Sequence, residues 1–266
     1  MPSSPFVSVV TSVYNGERYL QECVDSILNQ THQNFEFIIL DNGSTDGSRT
    51  ILDRISDPRV VVVHQENLGI AGSLNKGVRM AKGELIFRLD ADDCAAPDRL
   101  EKQILFMEAN PDYVLCGGAY EEWREGHLTA QREEFLETDA TIRRNFSRLN
   151  PFAHSSVVFR RQAFVKVGGY NPSYQTCQDY DLWIRLMQEG KACNLKDNLG
   201  FIRFYETSTM LRNKRKLYLE TLDVKWRAYM KFGGSLGRLL YFSLRGGVLF
   251  TLPNVISKHL YRRSGG

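Results

Sequence analysis

The sequence predicts an α/β fold: a mixed, largely parallel sheet flanked by helices, followed by a helical C-terminal tail. Three observations predict it. Short β-branched runs alternate with helical apolar spacing through the first ninety residues. Several of these runs end in a polar, turn-forming cluster. Beyond residue 211 the charge changes sign and long helical patterns take over.

Residues 6–12 (F-V-S-V-V-T-S) form a strand closed by Tyr14-Asn15-Gly16, and Leu20, Cys23, Val24, Ile27 and Leu28 then recur at helical spacing. Residues 35–40 make a second strand. The loop after it, Asp41 to Gly47, can cap a helix carrying Ser48, Ile51, Leu52 and Ile55. A third strand at 60–63 precedes a helix at 70–81, and a fourth strand at 85–89 runs into Asp90-Ala91-Asp92-Asp93. In such sheets ligands bind at the carboxyl ends of the strands. The clusters at 11–15, 41–46 and 90–93 all fall on that edge.

The second half is less regular. It reads as a helix at 98–110, a strand at 113–117, a helix at 142–149 and a strand at 155–159. A helix at 178–189, stopped by Gly190, and a short strand at 201–205 follow. Two tail helices, 214–232 and 236–250, flank Gly233-Gly234. The expected division is therefore a main domain over 1–211 and a tail over 212–266. Within the main domain the pattern changes from regular to irregular at about 118/119.

The 266 residues suffice for one α/β domain with an appendage. An apolar share of 42% excludes a disordered chain. Five scattered cysteines without a C-x-x-C pair argue against a disulfide framework or zinc site and fit a reducing cytosol. The start, Met-Pro-Ser-Ser-Pro, does not resemble a signal peptide. The net charge of +3 divides into +10 from Arg212 onward and −7 before it. That tail suggests an anionic surface as partner and no nucleic acid. Its longest charge-free run, 246–257, falls short of the roughly 20 residues a spanning helix needs. Arg238 and Arg245 lie on one helical face, with Leu236, Leu240, Leu244 and Val248 over much of the opposite side, so the expected placement is cytoplasmic and peripheral to a membrane. Packing of the tail on the body, or a homodimer, is the alternative.

The strongest chemical signal is Asp90-x-Asp92-Asp93 at a strand end. Adjacent carboxylates repel, and Mg²⁺ or Mn²⁺ takes oxygen ligands while leaving positions for substrate phosphates. The plain alternative is an acidic turn with Asp93 capping the next helix.

The motif set around it resembles glycosyltransferase family 2. The matching stretches are V-S-V-V-T-S-V-Y-N-G-E-R-Y-L-x-x-C-V-x-S-I-L-x-Q-T at 7–31, F-I-I-L-D-N-G-S-T-D-G-S at 37–48 and N-x-G-I at 67–70. L-D-A-D-D-x-x-x-P-x-R-L-x-x-Q at 89–103, H-S-S-V-V-F-R-R at 154–161, V-G-G-Y at 167–170 and Q-D-Y-D-L-W-I-R-L at 178–186 complete it. The resemblance implies a GT-A catalytic domain over 1–211, with a donor half of about 1–118 and an acceptor half of about 119–211. It also implies a nucleotide-sugar donor, UDP-linked in the favoured case, and inversion at the anomeric carbon. By position it implies that Ser12, Tyr14 and Asp41 hold the base, Asp41 accepting from an imide N–H. Asn67, Gly69, Asn75 and Lys76 line the donor site. Asp90 and Asp92 resemble the D-x-D element, reaching the ribose and a divalent ion, Mn²⁺ or Mg²⁺, on the diphosphate. Asp179 resembles the catalytic base, against the alternative of a helix cap.

Four departures stand out. Asn42 replaces a second Asp, Leu74 an Arg, and Gln178 a Glu, while Tyr205 stands where relatives carry a ligand histidine. His154 is the substitute candidate for that ligand. Trp183 and the Val-Gly-Gly-Tyr turn read as packing, and 120–150, with Trp123 and Arg124, as acceptor side. The implied acceptor is a glycan or lipid-linked glycan of bacterial cell-surface assembly. A nucleotidyltransferase would need a Gly-rich loop that 11–17 lacks, and a processive synthase would need Q-x-x-R-W and membrane helices. A non-catalytic sugar-nucleotide-binding subunit would not need both Asp92 and Asp179.

Overall fold

The computed structural model describes residues 5–124, 126–129, 135–204, 214–237, 239–241 and 243–244. In chain order the elements are β1 (Val7–Val13), α1 (Leu20–Leu28), β2 (Phe35–Asp41), α2 (Ser48–Asp53), β3 (Val60–His64), α3 (Gly69–Met80) and β4 (Leu85–Arg88). Then come β5 (Cys94–Ala95), α4 (Arg99–Ala109), β6 (Tyr113–Arg124), β7 (His127–Thr129) and α5 (Asp139–Asn145). After a 3₁₀ turn at His154–Ser156 follow β8 (Val158–Arg160), α6 (Arg161–Lys166), α7 (Gln178–Leu186), β9 (Lys191–Phe204) and α8 (Lys214–Phe232).

One sheet runs in the order β3-β2-β1-β4-β8-β6-β9-β5, with β7 hairpinned on β6. The first four strands are parallel, β8 runs antiparallel to β4 and β6, and β6 and β9 pair in parallel. Successive side chains on a strand point to opposite faces. Val10, Ile38, Leu40 and Ile86 therefore build one core layer with Leu74 of α3 and Trp183 of α7. Val9, Phe37, Ile39 and Phe87 build the other with α1 and α4. Helix α3 lies close on the sheet because Gly77 has no side chain: a Cβ there would stand 2.6 Å from a Val10 methyl.

The expected mixed α/β architecture is present, and the early elements fall within a residue or two of expectation. The second half differs. β5, β7 and α6 were not expected, and β9 spans fourteen residues rather than a short strand at 201–205. Its middle carries Asn194, Lys196, Asp197 and Asn198, which break the apolar run that marks a strand. Gly200, at φ +142, lets β9 approach β5, since a Cβ would come 2.0 Å from the Cys94 carbonyl. The helix expected at 142–149 begins earlier. Thr138 accepts from the Thr141 N–H and donates its own N–H to the Thr141 hydroxyl, which fixes the start at Asp139.

Helix α8, assigned to the tail by charge, packs on the catalytic body. Val224 and Ala228 are fully buried, and Phe232 meets Phe146 edge-on with centroids 5.6 Å apart. Glu220 accepts from the N–H groups of Gln175, Thr176 and Cys177, the turn entering α7. Arg227 pairs with the buried Asp181. The segment joining β9 to α8, and with it Leu211, lies outside the described residues, as do Arg238, Arg245 and the rest of the second tail helix from 245 on. Removing Glu220 strands those donors. Glu220→Ala is expected to cost about 1–3 kcal/mol in urea unfolding, whereas a tail independent of the body would leave the midpoint unchanged.

Candidate active site

The carboxyl ends of β1, β2 and β4 meet at one crevice, and hydrogen bonds knit their loops together. Asn15, the one non-glycine residue at positive φ (53°) among the described residues, accepts from Thr45 N–H at 2.7 Å. The Asn15 N–H donates to Ser44 and that of Gly16 to Ser48. Tyr14 is 55% exposed, a flat ring at the mouth of the crevice. Ser12 donates to Ser73 at 2.9 Å.

Asp41 lies beneath, 3% exposed, accepting from Ser44 N–H at 3.0 Å and paired with His64 Nδ1 at 2.7 Å. Burial would raise its pKa, but His64 and Ser44 outweigh burial and hold the carboxylate ionised. It is thus both the loop cap and an acceptor. Asn42 accepts from Gln65 and from Leu68 N–H, and its amide reaches Asn67. The departure at this position is a loop brace. Asn67 accepts from Gly69 N–H at 2.9 Å, and both residues are exposed. Lys76 is half-buried on α3, while Leu74, where an arginine was expected, lies in the core. Asn75 differs from expectation. Its amide donates to the Tyr170 carbonyl and accepts from Tyr170 N–H, both at 2.8 Å. It clamps the Val-Gly-Gly-Tyr turn onto α3 instead of offering a free amide to a donor.

At the end of β4, Asp90 is engaged on both oxygens. Buried Arg88 pairs with Oδ1, and Ser155 donates to Oδ2 at 2.9 Å. Burial works against its charge, but Arg88 and Ser155 prevail and lower the pKa. Asp93 accepts from Arg203 N–H at 2.8 Å, and its other oxygen meets the Ser155 hydroxyl. Burial, then Asp92 and Asp90, push its pKa well up. Asp92 is half-buried, and its carbonyl accepts from Arg203. The Arg203 guanidinium also pairs with Glu22 and lies among the rings of Tyr19, Trp123 and Phe201. Trp123, expected on the acceptor side, therefore braces Arg203.

His154 does not present a free imidazole. Its Nε2 bonds the Tyr170 hydroxyl at 2.8 Å and its Nδ1 stands 3.8 Å from Asp90. Burial, and then Arg88, press its pKa down to about 3, so the ring is neutral. It packs edge-on against Tyr170 and Trp183 as a wall of the site. Tyr205 lies outside the described residues.

Asp179 sits in the first turn of α7 and accepts from the Asn150 amide at 2.9 Å. Burial raises its pKa to about 6, the charge of Asp90 adds to this, and the hydrogen bonds from Tyr180 N–H and Asn150 oppose it. A carboxylate poised near neutrality suits proton abstraction from a hydroxyl.

Sequence reading missed Arg88, Arg203, Ser155, Arg99 and Asn150. Arg88 and Arg203 were visible as charges inside apolar strands, an expensive placement unless paired. Arg99 is buried and donates to the Arg88 and Val157 carbonyls at 2.9 and 3.0 Å, while Gln103 donates to the Cys116 and Ser156 carbonyls. The R-L-x-x-Q motif is thus a brace behind the acidic turn. Nothing in the sequence marks Asn150.

The family model described as glycosyl transferase family 2 matches residues 8–168. The chain belongs to this family. This glycosyltransferase is 31% identical to the amylovoran biosynthesis glycosyltransferase AmsE of Erwinia amylovora, covering 96% of this chain and 98% of that one. It is 34% identical to the putative glycosyltransferase EpsE of Bacillus subtilis over 76% of this chain and 74% of that one. Its fold matches S. aureus TarS 1–349 in complex with UDP-GlcNAc, at a TM-score of 0.74 and 18% identity over 93% of this chain and 76% of that one. It also matches the mannosyltransferase PcManGT of Pyrobaculum calidifontis, solved with GDP-Man and Mn²⁺, at a TM-score of 0.68 and 19% identity over 96% and 72%. The fold is GT-A.

Among the described residues no three His, Cys, Asp or Glu side chains gather as a metal cage. The donor set fits a different arrangement. Mg²⁺-type ions are commonly held by one or two carboxylates together with substrate phosphates. Asp90 and Asp92, at the end of β4, are the carboxylates that such an arrangement would use.

The glycosyltransferase should show an acidic limb in its pH–rate profile near pH 6, activity rising as Asp179 loses its proton. Because the Asn150 hydrogen bond lowers that pKa, Asn150→Ala should move the limb to higher pH. A limb that stays in place in the variant would remove Asp179 as its source.

Proposed function

We propose that this glycosyltransferase inverts the anomeric centre while moving a single sugar from a nucleoside-diphosphate sugar, UDP-linked in the favoured case, to an acceptor hydroxyl. The observation that carries the reading is Asp179, a carboxylate with a pKa of about 6 close enough to Asp90 to feel its charge. Direct displacement needs one group to take the hydroxyl proton and another region to hold the departing diphosphate. Asp179 Oδ is the proton acceptor, and Asn150 orients it. Tyr14 stacks on the base, and Asp41 accepts from it. Asp92 is the protein carboxylate for a divalent ion, which when bound neutralises charge on the leaving diphosphate. Arg88 fixes Asp90 beside it, toward the ribose.

The UDP-GlcNAc held by TarS supports a sugar-nucleotide donor, and the amylovoran biosynthesis in the name of AmsE supports an acceptor in polysaccharide assembly, a surface glycan or its lipid-linked precursor in this reading. Membrane contact is part of this reading. Among the described residues no helix is long and apolar enough to cross a membrane. Leu219, Trp226 and Met230 of α8 are all at least half exposed and, at seven- and four-residue steps, share one face. With the +10 charge of the tail they suit an anionic bilayer surface. Co-sedimentation with phosphatidylglycerol vesicles should fall with salt and with Trp226→Asp. Equal partition of wild type and variant would end the membrane assignment.

A panel of nucleotide sugars, scored for nucleotide release with and without Mn²⁺, identifies the donor. With that donor, Asp179→Asn should keep donor affinity and lose roughly 10²–10⁴ in transfer rate. Asp92→Ala should instead abolish the metal dependence of nucleotide binding in calorimetry. Near-normal turnover in the first variant, or surviving metal sensitivity in the second, would take the respective role away.

A further inference from the structure

His64 closes β3, the edge strand, and is the register partner of Asp41 at the end of β2. Its two ring nitrogens serve two acids. Nδ1 lies 2.7 Å from Asp41 Oδ2, and Nε2 lies 2.9 Å from Oδ1 of Asp53, the last residue of α2. Carboxylate oxygens only accept, so the ring donates on both sides. Asp53 is more than half exposed, and an ion pair at such a position contributes little stability. Asp41 is buried, so the bridge acts on a group that water does not hold.

The bridge fixes the plane of that carboxylate. Ser44 N–H holds Oδ1 at 3.0 Å and His64 holds Oδ2, so Asp41 is pinned at both oxygens and cannot turn about its last bond. Each oxygen keeps a second lone pair for a further donor. Burial works against the charge of Asp41, and the bonds from His64 and Ser44 outweigh it. A carboxylate that is both ionised and immobile discriminates between pyrimidines. It accepts from the ring N–H of uracil and repels the bare ring nitrogen that cytosine presents at the same place.

We propose that His64 is the positioning residue that sets base selectivity: the Asp41–His64–Asp53 bridge holds Asp41 toward a nucleobase ring N–H and against a bare ring nitrogen. Asp53 steadies the imidazole from outside, and His64 passes that constraint to Asp41. The proposal rests on the reading of Asp41 as the acceptor for the donor's base.

Affinity of the full chain for UDP and for CDP is measured by calorimetry with Mn²⁺ present. The readout is the ratio of the two affinities, because a loosened crevice weakens both nucleotides alike. The unsubstituted protein should prefer UDP by about tenfold or more. His64→Asn puts an amide N–H where Nδ1 stands and should keep the preference. His64→Gln puts it where Nε2 stands, serving Asp53 alone, and should lower the ratio about tenfold. Asp41→Asn, able to donate as well as accept, should abolish the preference. A ratio kept in a folded His64→Gln protein, while Asp41→Asn abolishes it, overturns the role of His64. Equal loss in His64→Asn and His64→Gln makes His64 a packing residue and also overturns it. An unsubstituted protein without preference for UDP, or a preference that survives Asp41→Asn, overturns the base contact itself and with it the bridge's role.

Discussion

Three neighbouring carboxylates at the end of β4, facing a fourth on α7, set the constraint that shapes the site. Asp90, Asp92 and Asp93 cannot all ionise at close quarters without compensating charge. The protein supplies that charge from inside. Arg88 lies 1% exposed in the sheet beside Asp90, and Arg203 reaches the acidic turn from β9. A buried guanidinium is itself costly, and each is secured by further contacts. Arg88 has the Leu89 and Val10 carbonyls, while Arg203 has Glu22 and three aromatic rings. The third buried arginine, Arg99, carries no acid of its own. Burial and Arg88 push its pKa down to about 9, and it bonds carbonyls behind the turn. The irregular second half of the chain exists largely to bring these partners in. β8 delivers Ser155 through the 3₁₀ turn ahead of it, and the long β9 delivers Arg203.

Helix α8 belongs to the same arrangement. Glu220 gathers the N–H groups just before α7, so the entry to that helix is fixed by an acid from α8. Arg227 and Arg185 clasp Asp181 one turn into α7. Asp179 stands between these two anchored points. Helix N-termini favour negative charge, whereas burial disfavours it. The outcome is a carboxyl held near pH 6 in a helix that cannot shift. Gln178, 7% exposed beside it, stands where a glutamate was expected. A second carboxylate there would raise the pKa further still.

How far the sequence revealed this follows from where the signals are local. β1, β2 and β4 are buried strands and β3 a half-buried edge strand, all rich in β-branched or aromatic residues, and their loops carry the turn residues, so fold class and crevice were readable. Asp41, Asp92 and Asp179 were placed correctly at strand or helix ends for the same reason. β9 was not readable beyond its last residues, because its middle pairs with β6 through backbone groups while its side chains are polar. The tertiary pairs were invisible to spacing. Asn75 meets Tyr170 across 95 residues and Arg203 meets Asp93 across 110. Charge alone assigned α8 to the tail. The burial of Val224 and Ala228 depends on the 4-residue step from Glu220, a pattern its outward-facing Leu219, Trp226 and Met230 obscured.

The same charge accounting bears on how a donor is accommodated. A nucleoside diphosphate brings further negative charge into a crevice where Asp90 already raises the pKa of Asp179. Uncompensated, that charge would move the base away from neutrality and leave it protonated when the acceptor arrives. Arg88 and Arg203 are consumed by the acids already present, so they do not provide the surplus. Positive charge arriving with the diphosphate, such as a divalent ion at Asp92 in the proposed arrangement, would meet that requirement. In the proposed mechanism Asp92 would then serve the base as much as the leaving group. Compensating charge held beside the diphosphate would keep Asp179 able to accept a proton at the pH where the acceptor is bound.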